Sequence, residues 1–172
     1  MKLDLRQVKS KEKLHKAYLS LLTEGYEQLF IQQVCTKAVV TRPTFYKLYK
    51  DISELRKDLI EKLLLELKES LTIRNPRPLH ETPKDEMLEN LISLFEHIRK
   101  NHIAYETLLI NQPDALFTNG IQDLLKEYVE QGIDLAQTRP YLINVDEQLI
   151  IAYVAGAYLA SIRWWITTNY ET

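Results

Sequence analysis

A chain of 172 residues with 45% hydrophobic side chains, four glycines and six prolines can bury a sizeable helical core, as one large or two small domains. Its net charge of −2 and pI near 6.1 would not mark it as nucleic-acid binding, and its single cysteine excludes an intramolecular disulfide and favours a reducing compartment. The opening MKLDLRQVKS is too polar for a secretion signal, and no apolar run reaches the roughly 18 residues of a membrane span, so a soluble, cytoplasmic protein is expected.

In chain order, Lys9–Leu22 places Leu14, Ala17, Tyr18, Leu21 and Leu22 at the spacing of one buried helix face. Ile31–Ala38 forms a second helix with Val34 and Ala38 inward, and Cys35 on its inner side reads as a small buried hydrophobe. Val39-Val40-Thr41 is a turn, and Thr41 caps a third helix that carries Pro43 in its first turn. Three helices so connected form a helix-turn-helix unit, whose last helix enters the DNA major groove.

The third helix presents Arg42, Thr44, Tyr46 and Lys47 along one side, while Phe45, Leu48 and Tyr49 can point into a small core. Arginine suits a bidentate contact to guanine or a phosphate, and hydroxyls and Lys hold phosphate oxygens. The helix N-terminus adds N–H donors for the same phosphates. The plain alternative is an ordinary solvated face. Residues 1–50 hold ten Lys/Arg against four Asp/Glu, a balance of +6, so the remainder carries −8. A basic head on an acidic body is the footprint of a DNA reader.

Asp51-Ile52-Ser53-Glu54 opens a fourth helix in the manner of a capping box, running to about Leu71. Three prolines between Asn75 and Pro83 then stop helicity and separate the head and connecting helix from a C-terminal body. We therefore divide the chain into residues 1–50, a connecting helix over 51–75, and a body over 76–172. Four body helices are expected: Thr82 or Pro83 to Lys100, Ala104–Asn111, Ala115–Gln137 interrupted or bent near Gly120 and Gly132, and Asp146–Thr168. No repeat or strand-period segment competes with this all-α reading.

Gly25-Tyr26-Glu27, Ile31-x-x-Val34, Ala38 and the run Thr41-Arg42-Pro43-Thr44-Phe45-Tyr46-Lys47-x-Tyr49 resemble the DNA-binding domain of the tetracycline-repressor (TetR) family over about residues 9–60. The closing Ala155-Gly156-Ala157 and Arg163-Trp164-Trp165 are similar to a branch that includes the dihydroxyacetone-kinase regulators. The resemblance implies a homodimer that reads a pseudo-palindromic operator in double-stranded DNA and answers to a small-molecule effector or a partner protein. Thr41, Arg42, Pro43, Thr44, Tyr46 and Lys47 form the expected reading surface, with Gln32, Gln33 and Lys50 as auxiliary contacts. Repression by operator occlusion is the default mechanism.

Three positions depart from the family pattern. Val39 stands where glycine is usual, and a β-branched residue at positive φ is strained by roughly 1 kcal/mol or more, so the turn carries strain or is reshaped. Phe30 replaces the usual hydroxyl cap of the second helix. Ile52 replaces a lysine, with Lys50 two residues upstream. These leave open a family-fold protein with weakened or lost DNA binding that works through a partner protein.

In the last helix Ala152, Gly156 and Ala160 recur every four residues, a surface that lets two helices approach closely. It serves equally as a dimer face or an internal packing face. The preceding helix, with Leu124, Leu125, Tyr128 and Val129, is the natural second half of a dimer interface. Tyr105, Leu108, Leu109, Phe117, Tyr128, Tyr153 and Trp164 can line an effector cavity with His102, or serve as core. His15, His80, His97 and His102 have no metal-ligand spacing, and no phosphate loop or nucleophile elbow is present. Neither a metal, a cofactor nor catalysis is expected, although a small-molecule-binding or catalytic helical protein with a vestigial head remains a rival reading.

Overall fold

The computed structural model describes residues 4–73, 83–136 and 146–170. Among the described residues every regular element is helical: α1 Leu5–Thr23, α2 Ile31–Ala38, α3 Arg42–Leu48, α4 Ile52–Ser70, α5 Lys84–Lys100, α6 His102–Tyr105, α7 Ala115–Ala136 and α8 Glu147–Thr167. The chain is an all-α protein, as the periodicities require. It divides into two compact units, residues 1–63 and 64–172.

In the first unit, α1 starts four residues earlier than its apolar stripe predicts. Asp4 caps it by accepting from the Arg6 N–H at 3.3 Å, and residues 5–8 then extend into solvent with nothing for periodicity to detect. Leu14, Tyr18 and Leu21 of α1, Val34 of α2 and Phe45 of α3 are buried, as are Leu55 and Leu59 in the first half of α4. Asp51 opens α4 by accepting from the Glu54 N–H at 2.8 Å, and Glu54 reaches back to the Lys50 N–H at 2.6 Å. Half of the capping box that the sequence suggests is formed, and Glu54 closes on the residue before the cap rather than on Asp51 itself.

The second unit contains the end of α4 and α5–α8. α6 continues into a π-helical turn, Glu106–Asn111, closed by Gln112 N–H donating to the Thr107 carbonyl at 2.8 Å. α7 runs unbroken through Gly120 and Gly132, so neither glycine interrupts it. Gly120 instead makes room: a Cβ built there would come within 2.3 Å of Leu64 Cδ1. Asp114 and Asp146 cap α7 and α8. The proline segment lies, except for Pro83, outside the described residues, as does Gln137.

One further expectation needs correcting. α8 is, by length and composition, long and apolar enough to cross a membrane, because isolated Ser161 and Arg163 dilute its apolar character only slightly. Its Ile151, Ala155, Ile162, Trp165 and Ile166 are buried within the second unit, with α7 as its main neighbour.

Candidate nucleic-acid interface

The turn between α2 and α3 keeps a left-handed residue without glycine. Val39 has φ 53° and ψ 48°, and its N–H donates to the Thr36 carbonyl at 3.2 Å. The side chain is 84% exposed, so no burial compensates the strain of a β-branched residue there. Val40 N–H donates to the Cys35 carbonyl at 3.0 Å, which completes the helix end. The turn therefore carries the strain rather than being reshaped.

Thr41 opens α3 as expected. Its Oγ1 accepts from the Thr44 N–H at 3.3 Å and lies 2.9 Å from Thr44 Oγ1. Phe45 is fully buried, with its ring 5.8 Å from those of Tyr46 and Tyr49. Burying Phe45 turns the opposite side of this seven-residue helix outward. Arg42, Pro43, Tyr46 and Lys47 are exposed and Thr44 is half-buried. Tyr46, one turn on, is the chief influence that raises the Arg42 pKa, so the exposed arginine stays charged at the helix N-terminus.

The auxiliary positions are placed less uniformly. Gln32 and Lys50 are exposed, whereas Gln33 Oε1 accepts from the Phe30 N–H at 2.9 Å and is engaged at the start of α2. Phe30 is 59% exposed and gives α2 no side-chain cap. Lys37 pairs with Glu24, which holds that carboxyl below its usual range. Cys35 is buried, and burial pushes its thiol up.

The second unit carries the sequence relationship. A TetR-type family model described as a transcriptional regulator C-terminal region matches residues 85–172, just over half of the chain. The chain belongs to the TetR family of transcriptional regulators. No curated protein matches it by sequence. Among solved structures, a TetR transcriptional regulator from Streptococcus agalactiae 2603V is 23% identical, with a TM-score of 0.64, over 94% of this chain and 84% of that one. The dihydroxyacetone kinase operon activator DhaS is 19% identical, with a TM-score of 0.61, over 93% of this chain and 85% of that one. At such identities the likeness is one of fold, and it extends over head and body alike.

In the TetR-type body, the candidate effector residues do not converge on one cavity. Tyr105, Leu108, Leu109 and Phe117 are fully buried and packed together, with the Tyr105 and Phe117 rings 5.2 Å apart. Tyr128 stacks edge-on against Tyr158, Tyr153 is 76% exposed, and His102 lies against Tyr170. Of these, Trp164 alone borders a groove of about 500 Å³ between α5 and α8. Leu91, Ile92, Phe95 and Trp165 line it, with Glu96, Arg99 and Ser161 at its polar positions. Of the candidate dimer residues, Leu125 is fully buried, Gly156 is half-buried, and Ala152 and Ala160 are exposed.

Sequence reasoning missed a polar cluster beneath α3. Lys11 and His15 from α1, Tyr49 at the end of α3 and Asp58 from α4 meet within hydrogen-bonding distance. Their separations in sequence, 47 residues for Lys11–Asp58, leave no local pattern to read. The one available signal was a histidine at position 15 on the buried face of α1.

Proposed function

We propose that this TetR-family regulator is a DNA-binding repressor that reads a pseudo-palindromic operator as a homodimer in the cytoplasm. The exposure of Arg42, Tyr46 and Lys47 on α3, whose Phe45 is fully buried, is the observation that carries the reading. Together they offer a charged fork at the helix N-terminus with a hydroxyl and an ammonium further along the helix, the set that meets phosphates and a guanine edge. Thr41, Pro43 and Thr44 shape its entry, and Gln32, Gln33 and Lys50 flank it.

Residues 1–50 serve as the head, 51–75 as the connecting helix and 76–172 as the effector and dimerisation body. TetR-type regulators usually dimerise, and the exposed Ala152 and Ala160 on α8 leave a narrow, small-residue side for a second copy. An effector, small molecule or partner protein, acts on the body. The α5/α8 groove is a better place for it than the closely packed Tyr105–Phe117 cluster. A ligand can shift the head only if it binds two states of the body unequally. The protein has no catalytic role in this scheme.

A second reading has one observation in its favour. Phe30 presents an exposed aromatic ring on the head where a hydroxyl would help a phosphate contact, which suits a partner protein better than DNA. Binding to the duplex flanking its own coding region, followed across salt concentrations, separates the two. Selective binding that weakens with salt and collapses in Tyr46→Ala with Lys47→Ala supports the repressor. A folded protein that binds no duplex above the non-specific level points to the partner.

A further inference from the structure

Asp58 on α4 is the hub of the polar cluster under the reading helix. Its Oδ1 accepts from Lys11 Nζ at 2.8 Å, and its Oδ2 accepts from the Tyr49 hydroxyl at 2.6 Å and from His15 Nε2 at 3.0 Å. The Tyr49 oxygen lies 3.1 Å from the same His15 nitrogen, and Lys11 Nζ sits 5.2 Å from the Tyr49 ring centroid. Tyr49 and His15 are buried, and Tyr49 is the residue on which α3 ends, its N–H donating to the Phe45 carbonyl at 2.8 Å.

The protons can be placed in one consistent way. The Tyr49 hydroxyl donates its hydrogen bond to Asp58, so its oxygen accepts from His15, and Nε2–H is shared between Tyr49 and Asp58. His15 Nδ1 is buried without a hydrogen-bond partner. A lone pair tolerates that position far better than an N–H would, so the imidazole is neutral. Burial, which lowers the His15 pKa more than Asp58 raises it, agrees with this.

A part-buried carboxylate is a poor choice where only stability is wanted, since apolar packing serves as well or better. What it supplies is direction. A seven-residue helix has little rigidity of its own, and Phe45 provides contact without fixing the angle of the helix axis. We propose that Asp58 is a positioning residue for DNA reading, tying the C-terminal end of α3 to α1 and α4 and so setting the angle at which Arg42 and Lys47 meet the duplex. This rests on the DNA-reading function proposed above. Thr41 and its cap fix the other end of α3, so the two ends together define its orientation.

The test is Asp58→Asn, which removes the charge and keeps the size, studied in the full chain. Backbone N–H residual dipolar couplings of residues 42–50 report the orientation of α3 without any DNA. They are expected to depart from the frame of α1 in the variant, while the second unit keeps its couplings. Binding to the duplex flanking the coding region should fall about tenfold, with less than about a twofold loss on a random-sequence duplex. Tyr49→Phe should reduce selective binding on its own and add little to Asp58→Asn, because both break the same link.

Unchanged couplings in α3, or selective and random binding that weaken in equal proportion, would overturn the proposal. Should the wild type bind no duplex, the DNA-reading function falls, and the couplings alone still decide whether Asp58 orients α3. If Asp58→Asn does not fold, Tyr49→Phe decides by the same couplings, since it keeps the carboxylate with Lys11 and His15.

Discussion

His97 Nε2 and the Tyr105 hydroxyl meet at 3.1 Å inside the second unit and join α5 to α6. Tyr105 is fully buried, and His97 is nearly so. Burial, reinforced by Glu66, pushes the phenol far above its usual range, so it stays a neutral hydroxyl. Asn101 Nδ2 lies 3.4 Å from His97 Nδ1, which leaves Nε2–H facing the phenol oxygen.

Tyr105→Phe deletes that acceptor and strands a buried N–H. The expected cost is about 1–2 kcal/mol, read as a lower urea midpoint with an unchanged m value. Because Tyr105 is core, any effector bound in the α5/α8 groove should bind this variant as it binds the wild type. A variant as stable as the wild type would show that the pair contributes nothing net.

Val39→Gly is expected to stabilise the first unit. Valine in the left-handed region costs about 1–2 kcal/mol, and glycine returns part of that through its freer unfolded chain, which leaves a gain of roughly 0.5–1 kcal/mol. The side chain is exposed, so little burial is lost. Thermal denaturation of the two proteins side by side measures it. A lower midpoint for the glycine variant would mean that the valine is not strained in solution.

The lettering of the head was largely legible because its signals are local. Leu14 to Leu22 mark a face by spacing, Thr41 and Pro43 mark a helix start, and the apolar Phe45 stands among the polar Arg42, Tyr46 and Lys47 within seven residues. The errors fell where a local signal is absent or ambiguous. Asp4 extends α1 beyond its apolar stripe, and Gly120 looks like a break from its own sequence, although its missing Cβ serves Leu64 from a distant helix. An aromatic run reads the same whether it lines a cavity or fills one, and here Tyr105 and Phe117 pack against each other. The Lys11–His15–Tyr49–Asp58 cluster depends on which faces of three helices meet, and no spacing within one helix encodes that.

Lys47 and Arg42 should respond differently to alanine. Lys47 is an exposed ammonium late in α3, suited to a phosphate; Lys47→Ala is expected to weaken all duplexes alike and to reduce the slope of log K against log salt by about 1. Arg42 stands exposed at the helix start, and in the proposed function its guanidinium meets a guanine edge. Arg42→Ala should cost about 1–3 kcal/mol on the preferred duplex and narrow its margin over mismatched ones. Titrations at several salt concentrations give both quantities. An identical response of the two variants would place both residues on phosphates.

Acid should destabilise the protein through two buried histidines, one in each unit. Burial is the chief cause that lowers both His15 and His97 below the ordinary value of 6.5, against the opposing pull of Asp58 on the first and Glu66 on the second. In the unfolded chain each imidazole takes up a proton as pH falls through 6.5, while in the folded chain it stays neutral to lower pH. The unfolded state then binds more protons, so stability declines as pH drops below that value. The decline continues until each folded imidazole also titrates. Asp58 acts in a lower window. Burial raises its pKa, but hydrogen bonds from Lys11 and Tyr49 outweigh this and hold it below 3.8, so its contribution is present above 3.8 and is lost only as pH falls through the folded value. Melting curves across the histidine range should therefore show a falling midpoint in the wild type and a shallower fall in His15→Gln and in His97→Gln. A midpoint that stays level through that range would mean that the folded histidines take up protons at the same pH as the unfolded ones, which would also undo the neutral imidazole placed beside Asp58.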